Sequence, residues 1–188
     1  MFVRLFHFSD DANIGIFKPR PVRVSTDRPI GREWLNEPLV WAIDELHQSM
    51  YLFPRDCPRV LYWPTSATTP EDYQRWWGER SCQMVAHIEW AWFDRLRTAI
   101  LHRYEFLEAG FMNLHDAGMW VSRTPVAPVK VETLRDLLAE LHGRDVELRV
   151  TESLVSLKEL WKTSLHVSGI RLRNARDWKS QDRTATRI

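Results

Sequence analysis

The stretch Phe2-Val3-Arg4-Leu5-Phe6-His7-Phe8-Ser9-Asp10 sets the reading of this chain. It is an apolar strand that ends on a histidine and a hydroxyl, and such a strand carries polar groups to the lip of a cleft. Two later segments of similar character, residues 38–59 and 101–131, extend the pattern. Short strands recur along the chain without regular strand–helix–strand alternation. The expected fold is therefore α+β, with a bent, mainly antiparallel sheet and flanking helices.

Working outward, Lys18-Pro19-Arg20-Pro21 and Asp27-Arg28-Pro29-Ile30-Gly31 mark a loop-rich passage, because proline restricts itself and its predecessor while glycine permits turns. Residues 39–43 read as a buried strand, and Asp44 caps a short helix through about Tyr51. Residues 59–63 are the next strand. Thr69-Pro70-Glu71-Asp72 then combines an N-cap hydroxyl, proline at the first helical position and acids in the first turn, predicting a helix to about Gly78. Strands are expected at 83–89, 100–106, 126–131 and 145–150, with helices at 90–98 and 133–142. Leu154, Leu157, Leu160, Trp161 and Leu165 recur at three- and four-residue spacing, which predicts a core-facing helix over 151–168 stopped by Gly169.

The 188 residues suffice for one compact domain, expected over 1–170. A basic, flexible tail is expected over 171–188, where six Lys or Arg face two Asp and little besides Trp178 is apolar. The net charge of +1 gives no global argument for nucleic acid or membrane. No stretch reaches membrane-spanning length and no leader-like segment opens the chain. Cys57 and Cys82 fit neither a disulfide framework nor a paired metal-ligand motif, so a cytoplasmic location is expected. With 44% hydrophobic residues and ten Trp, some aromatics are available to line a pocket.

Familiar catalytic motifs are missing: there is no phosphate-binding glycine loop, no Gly-x-Ser-x-Gly elbow and no His-Glu-x-x-His helix. His7, Asp10, His115 and Asp116 have no diagnostic metal-ligand spacing, and no metal is expected. Arg55 sits between Pro54 and Pro58 on a stiffened loop, suited either to grip an anion or to pair locally with Asp56. Alternation along His102-Arg103-Tyr104-Glu105-Phe106 places Arg103 and Glu105 on one strand face and Tyr104 on the other. That pair is either a structural ion pair or half of a catalytic site. His115, before a turn near Gly118, either faces a cleft or closes the turn.

The blocks LFHFSDDANI, PLVWAIDELH, YLFPRDCPRV, HRYEF, MWVSRTPVAPVKV and SGIRLRNA resemble an uncharacterised bacterial domain family along nearly the whole chain. At a greater distance the order of elements resembles the small NAD-dependent ADP-ribosyltransferases. That second resemblance implies an enzyme that binds NAD, as substrate, or a related nucleotide, and transfers or hydrolyses its ribosyl group. It implies that His7 bonds the nicotinamide-side ribose with help from Ser9, and that Trp41 or Tyr51 packs on the nicotinamide ring. Glu105 would stabilise the cationic sugar or activate the acceptor. Arg55 or Arg103 would meet the pyrophosphate and His115 would contact the ligand, with Glu105, His7 and Tyr51 as the catalytic set. Phe8 stands where the family pattern has glycine. The alternative is a non-catalytic small-ligand-binding or interaction module on the same scaffold.

Overall fold

The computed structural model describes residues 3–22 and 27–178. Its strands, in chain order, are β1 (Arg4–Ser9), β2 (Val40–Asp44), β3 (Arg59–Trp63), β4 (Met84–Glu89), β5 (Leu101–Leu107), β6 (Met112–Asn113), β7 (Met119–Ser122), β8 (Lys130–Leu134), β9 (Val146–Thr151) and β10 (His166–Ile170). They form a six-stranded sheet ordered β6-β7-β2-β1-β5-β8 and a four-stranded sheet ordered β10-β3-β4-β9. Every pairing is antiparallel except β4 with β9. The α+β, mainly antiparallel character is as expected, but two sheets stand where one bent sheet was read. Helices are few: Pro70–Asp72, Trp90–Thr98 and Leu137–His142 are α-helical. No helix among the described residues is long and apolar enough to cross a membrane.

The residues group into two compact units. One comprises Met1–Tyr51 and Leu101–Leu134, the other Leu52–Ile100 and Arg135–Ile188.

In the first unit the registers of β1 with β5 and of β2 with β7 sort the side chains onto two faces. Leu5 opposes Phe106, His7 opposes Tyr104 and Ser9 opposes His102. Because opposed residues share a face and neighbours alternate, Phe6, Phe8, Arg103 and Glu105 lie on the other face. The first face carries the core of Leu5, Val40, Ala42, Tyr104, Phe106 and Trp120. Phe17 meets the rings of Tyr104 and Phe106 edge-on at 5.0 and 5.1 Å. Each such pair adds about 0.5–1.5 kcal/mol beyond area burial. Phe17 is anchored there by a two-way backbone bridge to Val126.

The strand expected at 126–131 begins later. Pro125 and Pro128 have no N–H to give a ladder, so pairing with β5 starts as the Val129 amide donates to the Glu105 carbonyl at 2.8 Å. It then continues through Leu134. The helix expected from 133 consequently starts only at Leu137, where the Asp136 carboxylate accepts the Ala139 amide at 2.9 Å.

In the second unit β4 is central, and all six of its residues are buried. The predicted 70–78 helix forms with the Thr69 cap accepting the Asp72 amide, then widens into a turn closed by the Gly78 amide on the Tyr73 carbonyl at 2.8 Å. The helix expected over 151–168 is instead a tighter 3₁₀ run, Val155–Lys162, followed by β10. Its apolar spacing does mark the buried side: Leu154, Leu157, Leu160 and Leu165 pack with Val60, Tyr62 and Val85. The run ends because the Thr163 hydroxyl donates to the Leu160 carbonyl at 2.7 Å and Ser164 is held by Asp72. Gly169, expected as a stop, lies inside β10. A Cβ there would stand 2.8 Å from Cζ2 of Trp161, so the strand passes only as glycine.

Residues 171–178, expected to belong to the tail, pack on this unit. Ala175 is buried, Trp178 meets the Trp161 ring at 5.7 Å, and the Arg176 amide donates to the Glu89 carboxylate at 3.0 Å. Residues 179–188 lie outside the described residues.

Candidate functional site

Strand alternation decides how the expected site residues of the first unit are distributed. His7 and Ser9 share the core face; Glu105, Arg103 and Trp41 share the other. The sheet itself separates His7 from Glu105, so the structure does not bring together the catalytic set implied by the resemblance.

On the core face His7 is half-buried. Its Nδ1 donates to the Trp41 carbonyl at 2.9 Å in the tautomer that this bond selects, and its ring lies 4.9 Å from that of Phe17. Ser9 is buried, and its hydroxyl oxygen accepts the Asp11 amide at 3.1 Å. Tyr104 pins the same turn, its hydroxyl donating to the Asp11 carbonyl at 2.6 Å and accepting the Ile14 amide at 3.1 Å. The polar end of β1 thus shapes the loop that follows it.

On the opposite face Glu105 meets a partner that the sequence reading missed. Arg4 donates from Nε to Oε1 at 2.9 Å and from Nη2 to Oε2 at 3.0 Å, a bidentate grip, and also reaches Glu45 at 2.8 Å. These Arg4 hydrogen bonds hold the Glu105 carboxyl below the usual carboxylate range. Both oxygens are thereby occupied and the charge is largely balanced. Arg103 is not the partner of Glu105. It donates to Glu132 at 2.6 Å and to the Gln48 side chain at 2.8 Å, and its guanidinium lies 5.2 Å from the Phe6 ring centroid. The signal available for Arg4 was parity: residues 4, 6 and 8 share the face of 103 and 105 once the two strands pair.

The same face carries aromatic side chains that are not fully buried. Phe8 and Tyr51 lie nearly parallel, with centroids 6.5 Å apart. The Tyr51 hydroxyl donates to Met119 Sδ at 3.6 Å. Met119 opposes Ile43, and Trp41 opposes Val121, in adjacent rungs of that face. The Arg28 guanidinium lies 5.8 Å from the Trp41 ring. Trp41, Tyr51, Phe8 and Met119 therefore offer half-buried apolar surface with the Arg28 cation beside Trp41, while Arg103 is already engaged by Glu132 and Gln48. Such a set suits a planar, electron-rich or anionic ligand.

His115 closes a turn. It is exposed with φ 51°, and its amide donates to the Asn113 side chain at 2.8 Å. Gly118, at φ 72°, is required in the same hairpin, because a Cβ would stand within 2.6 Å of the Asp44 carboxylate and His47. Arg55 belongs to the second unit, exposed on the loop 54–58. That loop is held through its carbonyls, Arg55 by Arg171 at 3.2 Å and Asp56 by Asn174 at 2.7 Å. Among the described residues no group of three or more His, Cys, Asp or Glu side chains is placed to hold a metal.

No curated protein and no solved structure matches the chain. Residues 6–175, which span both units, match the model of a family of unknown function, DUF6886. The chain belongs to that family.

Proposed function

We propose that the first unit is a binding module for a nucleotide-like small molecule, with NAD or ADP-ribose as first candidates, seated on the Trp41–Tyr51–Phe8 face. The observation that carries this reading is the meeting of the half-buried Phe8, Tyr51 and Trp41 rings on one sheet face with the Arg28 guanidinium, 5.8 Å from the Trp41 ring. Rings supply stacking for a base or nicotinamide, and cations supply partners for phosphate oxygens.

The second reading is the ADP-ribosyltransferase-like enzyme, which transfers or hydrolyses the ribosyl group of NAD. Cleaving the nicotinamide–ribose bond develops positive charge on the sugar, and an ionised carboxylate on the ligand's face would stabilise it. Glu105 is ionised and on the aromatic face, which favours the reading. Its bidentate engagement by Arg4 opposes it, since a neutralised carboxylate contributes little field, and so does the placement of His7 behind the sheet. The geometry supports binding better than this catalysis.

A thermal-shift screen with NAD, ADP-ribose, mononucleotides and inorganic phosphate tests the module, because a ligand that binds only the native state must raise apparent stability. Nicotinamide release by wild type and Glu105→Gln then separates the readings. Binding without release supports the module, whereas release abolished by Glu105→Gln supports the enzyme. Stabilisation by none of these ligands removes both.

A further inference from the structure

The second unit contains a polar group that its own fold leaves unanswered. His87 lies on central strand β4, opposite Val60 of β3 and level with Arg149 of β9. It is 5% exposed, and neither ring nitrogen has a hydrogen-bond partner among the described residues. A neutral imidazole presents one donor and one acceptor, and a fold seldom buries both unpaired. Burial, reinforced by Arg149 and Arg80 and opposed by Glu147, pushes this group down to about 4, so the ring is neutral at pH 7. It stacks on Tyr62 with centroids 5.9 Å apart. The indole nitrogen of Trp76, packed against the same cluster, is also buried and unpaired.

The apolar layer on the His87 side of the sheet is unusual as well. Leu154, Leu157, Leu160 and Leu165 close over the Val60, Tyr62 and Val85 side of the sheet, which by register is the His87 side. They ride on an eight-residue 3₁₀ run, about twice the usual length for this poorly bonded helix. Polar latches hold its ends. The Leu154 amide donates to Glu89 at 3.4 Å, and Ser164 donates to Asp72 from its amide at 2.7 Å and its hydroxyl at 2.6 Å.

We propose that residues 153–165 form a lid over a ligand site centred on His87, which takes a small neutral aromatic molecule bearing one amide or hydroxyl head. The head answers the imidazole, and the ring replaces contacts of the lifted leucines with Val60, Tyr62 and Val85. The nearby Arg149 and Arg80 are already engaged by Glu147, at 2.7 and 3.1 Å, so the imidazole is the polar group left for a ligand to answer. This site is independent of the proposed nucleotide face, so either stands if the other fails.

Two measurements on the full chain test it. Benzamide and benzyl alcohol should raise the melting temperature of wild type more than toluene does, and His87→Phe, which keeps an aromatic ring of similar size, should abolish that difference. Modification of His87 by diethyl pyrocarbonate, followed by peptide mass, should be slow in wild type. It should run about 5–30-fold faster in Ser164→Ala, which loses the hydroxyl latch. An unchanged rate in Ser164→Ala overturns the lid. A response to toluene equal to that of benzamide, or one that survives His87→Phe, overturns the site.

Discussion

The two sheets treat their polar side chains in opposite ways. In the six-stranded sheet, Arg4 and Arg103 lie on one face and are answered there: Arg4 by Glu105 and Glu45, Arg103 by Glu132 and Gln48. In the four-stranded sheet, central strand β4 is buried at every residue and still carries Glu89 and His87. Glu89 is satisfied by backbone amides of Leu154 and Arg176, while His87 is left unpaired. A paired surface network contributes little and breaks at little cost, whereas an orphaned interior group weighs on stability whenever conditions change its charge. The first sheet should therefore tolerate charge changes that the second does not.

The largest expected effect lies in the second unit's apolar cover. Leu160 is fully buried, and Leu160→Ala should cost about 2–5 kcal/mol in urea unfolding, from lost transfer energy plus the residual cavity. A loss under ~1 kcal/mol would mean that the cover is already loose.

Acid comes next. His87 binds its proton near pH 4 when folded and near 6.5 when unfolded, so the unfolded state holds more protons between those values. The stability of the second unit should be full above pH 6.5, fall by about 3 kcal/mol as pH drops to 4, and lose nothing further from this group below 4. His87→Phe should flatten that window. Retention of the slope in the variant would assign it to another residue.

Breaking the grip on Glu105 should matter less. Arg4 is 45% exposed, so Arg4→Ala should cost no more than about 1 kcal/mol, and Glu45→Ala should be nearly silent. Releasing Glu105 also returns its carboxyl towards the ordinary range, visible as an upward shift in its NMR titration. A shift in Arg4→Ala as small as that in Glu45→Ala would contradict the bidentate assignment.

Much of the strand pattern was legible because runs such as 40–44, 59–63 and 84–89 are apolar and β-branched, and alternation alone put Tyr104 opposite in facing to Arg103 and Glu105. Three features differ from the expectation. Leucine spacing at 154–165 marks a buried side equally well for a 3₁₀ run, and the hydroxyls of Thr163 and Ser164 that cut it short look ordinary in sequence. Pro125 and Pro128 delayed β8, which was readable in principle from their missing donors. The separation of His7 from Glu105 depends on the register of β1 against β5, a long-range pairing that one-dimensional spacing does not specify.

The proposed binding module places ligand recognition on the aromatic face of the six-stranded sheet and not on the face of His7. Calorimetric titration of ADP-ribose into wild type, Tyr51→Leu and His7→Ala tests it most directly, with folded fractions matched. Wild type should bind, Tyr51→Leu should lose about 1–3 kcal/mol, the range measured for base–aromatic stacking, and His7→Ala should keep its affinity within twofold of wild type. Binding that survives Tyr51→Leu and vanishes in His7→Ala would contradict it.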